Sequence, residues 1–301
     1  MIRKLRRSAV WYTFLLPSLI CLLVMTYIPT FTSLKYSFFN VSVLGFGESF
    51  AGLKNYRALL GNSGFYRALL NTVLMIAYGY AVIPLGYILA CMINSLGKSR
   101  SQSFFRIGFF VPNVIAGISV ILVFKYVLLQ NGGLLNSALS MILGHDIKIG
   151  WLVDTSISKL GVSIMSVWQG LGYTMLICLA GLQSIPREIY EAAEVDSANA
   201  LQKWWHITTP NMRQIFVFLF ITNTISGFSR FTDLFVICHN SASGGSRAAL
   251  QSLLMYVYQY SFENPNYGLS SAGVMILFVI VFAVTLFNLR MTKLLEKESA
   301  R

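Results

Sequence analysis

The stretch IPREIYEAAEVDSANALQKWWHITTP, Ile185 to Pro210, decides how this chain is read. It holds Arg187, Glu188, Glu191, Glu194, Asp196 and Lys203, yet long apolar segments flank it on both sides. Each such charge at a bilayer centre costs roughly 2.5–3.5 kcal/mol on insertion scales. Together they exclude the stretch from hydrocarbon and place it at a membrane face. A helix is expected to start at Pro186 with Ser184 as its cap. Glu188 and Glu191 in its first turns favour the helix dipole. At about 100° per residue, Ile189, Ala192, Ala193 and Ala200 share one arc, while Glu191 and Glu194 project elsewhere. The alanines make that face flat enough for another surface to approach closely. Trp204, Trp205 and Ile207 suit a membrane interface. Thr209-Pro210 reads as the cap and first position of the next span. Physics alone weights this docking helix about equally with an ordinary solvated loop.

The 301 residues are 55% hydrophobic and 11% charged, against roughly 25% charged in soluble globular chains. The class is therefore a polytopic, all-α membrane protein. The net charge of +12 belongs to loops facing the cytoplasm rather than to a nucleic-acid surface. Cys21, Cys91, Cys178 and Cys238 lie in or beside apolar runs with no C-x-x-C spacing. That argues against disulfides or a metal site. The basic N-terminus and its apolar run resemble a signal peptide, but the run spans Val10 to Phe31 with no small-x-small cleavage site after it. A retained first helix is expected.

Six stretches are long and apolar enough to span: Val10–Phe31, Leu69–Ile93, Phe104–Leu128, Gly161–Leu182, Met212–Ile237 and Ser270–Leu289. With the N-terminus inside, the short cytoplasmic pieces collect Arg3, Lys4, Arg6 and Arg7, then Lys98, Arg100 and Arg106, then Arg187, Lys203 and Arg213, then Arg290, Lys293, Lys297 and Arg301. This bias places both termini and the 186–210 loop in the cytoplasm. Residues 1–68 form the first helix and external loop, 69–290 the main body, and 291–301 a cytoplasmic tail.

Glu191-Ala-Ala-Glu-Val-Asp196-Ser197, with Ile207-Thr-Thr-Pro210 beyond it, resembles the EAA signature of binding-protein-dependent ABC importer permeases. The spacing matches throughout, with Ser197 where the family has Gly and Thr209 where it has Leu. Phe50-Ala-Gly-Leu-Lys-Asn-Tyr56 and Asn71-Thr72 look like the segment entering that family's permease core, and Trp168-Gln169-Gly170, Ala180-Gly-Leu-Gln-Ser-Ile-Pro186 and Gly268-Leu-Ser-Ser-Ala272 look like the carbohydrate-uptake branch (maltose, lactose, multiple-sugar or glycerol-phosphate type). The resemblance covers roughly residues 10–290. It implies the type I ABC importer permease fold in a prokaryotic cytoplasmic membrane, with six transmembrane helices and a cytoplasmic coupling helix. Its partners would be a second, similar permease, two ATPase subunits, an extracellular solute-binding protein and a carbohydrate. Glu191, Ala192, Ala193, Asp196 and Ser197 would be the coupling positions, with Ile207 completing the motif and Pro210 setting the exit. ATP and Mg would be used by the ATPase, with no cofactor held by this chain. Gly97-Lys98-Ser99 is no phosphate loop, since Met92 stands where its first glycine is needed.

Aromatic faces and amides together suit a sugar, so Trp168, Gln169, Tyr173, Asn223 and Phe231 are candidates for the solute path, weighed against plain packing. Arg230 and Asp233, three apart, are placed to meet on one helix face, either marking a pathway or simply pairing. His145, His206 and His239 are scattered and carry no metal or catalytic cluster. A secondary transporter driven by an ion gradient would need a midplane acid or histidine, and Asp233 is poorly placed for that. A membrane-embedded enzyme lacks any catalytic cluster.

Overall fold

The computed structural model describes residues 13–41, 48–97 and 99–299, the last nine of these by backbone alone. Val10, the basic cluster Arg3, Lys4, Arg6 and Arg7, and also Lys98 and Arg301 lie outside the described residues, as do the side chains of Lys293 and Lys297. The chain divides into two compact units: residues 1–63 with Val257–Val279, and Gly64–Tyr256 with residues 280–301.

In the first unit, α1 runs from Thr13 to Ser37 and is followed by a short antiparallel hairpin, β1 (Phe39–Val41) with β2 (Glu48–Phe50). Helix α2 is Lys54–Leu60. Buried Asn55, from the Phe50–Tyr56 motif, donates to the carbonyls of Ser37 and Phe39, both at 3.0 Å. It thereby satisfies backbone groups at the end of α1. Gly268 sits against the same spot: a Cβ there would lie 2.5 Å from Phe39 O.

In the second unit, α3 (Ser63–Gly79) and α4 (Val82–Ser95) form one apolar run of 33 residues. Helices α5 (Arg100–Val114) and α6 (Gly117–Val127) follow, then α7 (Leu134–Leu143) and α8 (Ser158–Ser184). The 186–210 loop contains α9 (Arg187–Val195) and α10 (Ala200–Lys203). Helices α11 (Arg213–Phe228), α12 (Thr232–Ile237) and α13 (Leu253–Tyr258) come next, α13 passing into the first unit at Val257; α14 (Tyr267–Ser299) belongs to the first unit as far as Val279 and to the second from Ile280. Among the described residues all six apolar stretches are mainly helical. Among the described residues, four helices are long and apolar enough to cross a membrane, or five if the bent α5–α6 pair counts as one.

Two of the expected spans are not straight. Phe104–Leu128 bends by 94° between α5 and α6. Pro112 removes a backbone donor inside α5, and Ile115 takes an extended conformation with ψ of 140°. Met212–Ile237 is interrupted at Ser229–Phe231, and α11 alone has 16 residues, about 24 Å at 1.5 Å per residue.

Helix α4 packs on α8 through Val82, Ile83, Tyr87, Ala90 and Ile93 against Met175, Cys178, Leu179 and Leu182, joined by Met212 and Leu219. Small residues set the spacing, as expected where apolar tails surround helices and van der Waals contact replaces the hydrophobic drive. A Cβ on Gly86 would lie 2.6 Å from Thr174 Cγ2, and one on Gly172 would lie 2.1 Å from Phe109 O.

Candidate functional site

Two places carry the candidate residues. The first is the 186–210 loop. Helix α9 begins after Pro186, which is its N-cap rather than its first helical residue, and Ser184 donates to Gly181 O at 2.7 Å instead of capping α9. The reason is local: Ile185 and Pro186 are both extended, with ψ of 124° and 138°, so Ser184 remains in α8. No residue of α9 is buried. Glu191 and Ala192 are exposed and Ala193 half-buried. The helix ends in a Schellman motif: the Ala198 N–H donates to Ala193 O at 2.9 Å and the Ser197 N–H to Glu194 O at 3.0 Å. Ser197 therefore occupies the left-handed position, with φ of +56°. A glycine takes that conformation freely, whereas an L side chain gives up roughly 1–2 kcal/mol. We expect Ser197→Gly to raise stability by about 1 kcal/mol, read as a higher thermal midpoint of the purified protein. A lowered midpoint would mean that the serine side chain itself holds the turn.

Ala200 is not on the face of Ile189, Ala192 and Ala193, because the turn at Asp196–Asn199 separates it into α10. Helix α10 opens with a capping box, in which Asn199 Oδ1 accepts from the Gln202 N–H at 2.9 Å and Gln202 Oε1 from the Asn199 N–H at 2.8 Å. Lys203 spans the turn to Glu194 at 2.9 Å. Trp204 is half-buried and stacked on Tyr87, with ring centroids 5.9 Å apart, so it anchors the loop to the α4–α8 core. Trp205 is 61% exposed.

Thr209 does not cap a new helix. The chain stays helical from Ala200 through a π-turn at Trp204–Thr208 to Asn211. Pro210 has no N–H to donate, and its ring crowds the carbonyl one turn back. The π-turn gives it room, and side chains add hydrogen bonds to carbonyls around it. Thr209 Oγ1 donates to Trp204 O at 2.9 Å, Thr208 Oγ1 to Lys203 O at 3.3 Å and Asn211 Nδ2 to Ile207 O at 2.7 Å. With its proton committed, Thr209 Oγ1 accepts from Tyr87 OH at 2.9 Å, and Thr208 Oγ1 likewise from Tyr190 OH at 3.0 Å. Two hydroxyl pairs thus tie α9 to the π-turn and the π-turn to α4. The pattern of charges and alanines carries no sign of Tyr87 or Tyr190.

The second place is a cavity of about 850 Å³. It lies where the two interrupted helices meet α3, α4 and α8, so the bend after Pro112 and the break at Ser229–Phe231 shape its wall. Gln169, Tyr173, Asn223, Phe231 and Asp233 line it. Trp168 does not. It packs on Phe124, with ring centroids 5.1 Å apart, and faces a separate groove beside Phe105 and Pro112. Arg230 and Asp233 pair at 2.6 Å, with side chains 12% and 19% exposed. They do not share one helix face: Arg230 sits in the break and Asp233 in the first turn of α12. Arg230 Nη2 also donates to Val162 O at 2.7 Å, and its carbonyl accepts from Ser252 Oγ at 2.9 Å. The break's polar groups are thereby satisfied by protein, as a non-helical segment at membrane depth requires. Asn71 and Thr72 serve the following loop: Asn71 Nδ2 donates to Ala248 O at 2.8 Å and Thr72 Oγ1 accepts from the Leu253 N–H at 2.8 Å.

Comparison with known proteins agrees with this architecture. The chain is 32% identical over 296 residues to the multiple sugar-binding transport system permease protein MsmF of Streptococcus mutans serotype c, covering 98% of this chain and 99% of that one. It is 33% identical over 294 residues to the probable ABC transporter permease protein YurN of Bacillus subtilis, covering 95% and 97%. To the sn-glycerol-3-phosphate transport system permease protein UgpA of Agrobacterium fabrum it is 29% identical, over 93% of each. A crystal structure of a bacterial ABC transporter involved in the import of the acidic polysaccharide alginate superposes with a TM-score of 0.80 at 20% identity, over 97% of both chains, which gives a type I importer permease fold. Residues 82–297 match the family described as binding-protein-dependent transport system inner membrane component, and the chain belongs to that family.

Proposed function

We propose that this chain is the transmembrane permease subunit of an ATP-driven importer that moves a carbohydrate across the cytoplasmic membrane. The observation that carries this reading is the exposed, two-helix form of the 186–210 loop, which presents Glu191, Ala192 and Asp196 outward while Trp204, Tyr87 and Thr209 fasten it to the core. Its natural complement is a cleft on an ATPase subunit. The relatives named for sugar and glycerol-phosphate transport support the solute class, and the cavity with its amides and aromatic faces supports a polar cargo. The assembly would contain a second permease, two ATPase subunits and an extracellular solute-binding protein. The Lys and Arg distribution supports both termini and the loop lying in the cytoplasm. Closing of the ATPase pair would push α9, and the two hydroxyl pairs would carry that displacement to α4.

A gradient-driven transporter is not favoured. Among the described residues Asp233 is the one carboxylate on the cavity wall, and it is neutralised by Arg230. The deciding experiment is uptake in cells expressing the full importer. Depleting ATP at constant proton and sodium gradients should abolish uptake, and collapsing the gradients at constant ATP should leave it intact. The reverse pattern would overturn the reading.

A further inference from the structure

We infer that the cavity of this permease accepts an uncharged polar solute, a neutral oligosaccharide, and rejects sugar phosphates and uronates. The inference rests on the importer reading and narrows its solute class, because the relatives divide between sugars and a phosphate ester. Among the described residues along the cavity wall only Arg230 and Asp233 carry charge at neutral pH, and they cancel. An anion needs a free cation or several free donors once it leaves water. Among the described residues Arg230 is the one cation on that wall, and Asp233 neutralises it. Its Nε is held by Asp233 at 2.6 Å and its Nη2 by Val162 O at 2.7 Å. A phosphate or carboxylate on the remaining Nη hydrogens of Arg230 would lie beside the Asp233 carboxylate, whose like charge opposes it, unless Asp233, 19% exposed, is displaced. Breaking such a pair leaves an uncompensated, largely buried charge and costs several kcal/mol. The N-terminal turn of α12 is likewise occupied by Asp233 itself.

Neutral hydrogen-bonding capacity is plentiful by contrast. Asn113 and Gln169 line the cavity, and neither side chain hydrogen-bonds another group among the described residues. Each amide offers two donor hydrogens and an acceptor oxygen, the complement of a sugar hydroxyl pair. Tyr173 adds a ring that is 41% exposed, a surface suited to the apolar face of a pyranose.

The test is equilibrium binding to the assembled importer in detergent without its binding protein, so that only the membrane cavity is read. The probes are a neutral oligosaccharide, a uronate oligosaccharide of the same length and a hexose phosphate. The neutral probe should bind at least about tenfold more tightly than either anion. In the Gln169→Lys variant, which adds an uncommitted cation, the preference should shift by about tenfold toward the anions. Anions that bind the unaltered importer as tightly as the neutral sugar, or no binding by any probe, would overturn the inference. Binding-protein-stimulated ATP hydrolysis by the same preparation reports separately on the importer reading. If it persists while anions bind, only the charge selectivity is wrong.

Discussion

A Gly172→Ala substitution is expected to break the seam between α5 and α8. The new methyl carbon would stand 2.1 Å from Phe109 O and 2.8 Å from both Phe109 C and Phe110 Cα. These are backbone atoms, so no side chain can rotate away, and one helix must shift by roughly an ångström to restore van der Waals distance. Overpacking of this kind costs about 3 kcal/mol or more where the surroundings cannot relax. Thermal unfolding in detergent and the monodisperse yield should both fall sharply. Gly108→Ala is the control, because a Cβ there meets nothing within 4 Å and alanine is the better helix former. If the two variants melt together, the close approach of these helices is not what holds them.

Glu191→Lys is expected to leave the fold intact and to reduce transport about a hundredfold. Glu191 is exposed and forms no ion pair among the described residues, so reversing its charge should change stability by no more than about 0.5 kcal/mol. If α9 docks on the ATPase, however, the same reversal places a like charge where a matched pair had been, and losses of 2–5 kcal/mol are typical of buried interface charges. The measurements are solute uptake, ATPase co-purification and thermal midpoint, made side by side. Normal uptake would remove Glu191 from the coupling surface. Lost uptake with a lowered midpoint would make the residue structural.

The apolar stretches and the charged loop were readable because hydropathy and charge act through each residue's own transfer free energy. The interruptions were not. Arg230 is stable in its break because Val162 and Ser252, 68 and 22 residues away in sequence, supply its partners. Nothing near Arg230 announces them. The 94° bend has a local cause in Pro112, yet most prolines only kink a helix, and the extended Ile115 depends on what packs there. The cavity residues were legible as chemistry: five of the six candidates reach the cavity wall. Trp168 falls elsewhere: it packs on Phe124 in the helix beyond the α5–α6 bend, a contact that residue chemistry alone does not announce. Ser197 shows the limit of motif matching. The motif keeps its backbone conformation, φ of +56°, after the glycine that favours it has been replaced.

The π-turn at Trp204–Thr208 bears on how such loops can be exchanged between permeases. One π-turn is equivalent to a single inserted residue, which rotates everything on one side of it by about 100° relative to the other. A chimera joined inside residues 204–208, to a donor whose helix lacks the extra residue, would carry all the loop's side chains but aim them wrongly. Grafts joined at Ile185 and after Asn211 keep the rotation within the transplanted piece. If α9 docks on an ATPase, they are the cassettes with which ATPase choice would be exchanged without reshaping the receiving membrane helices.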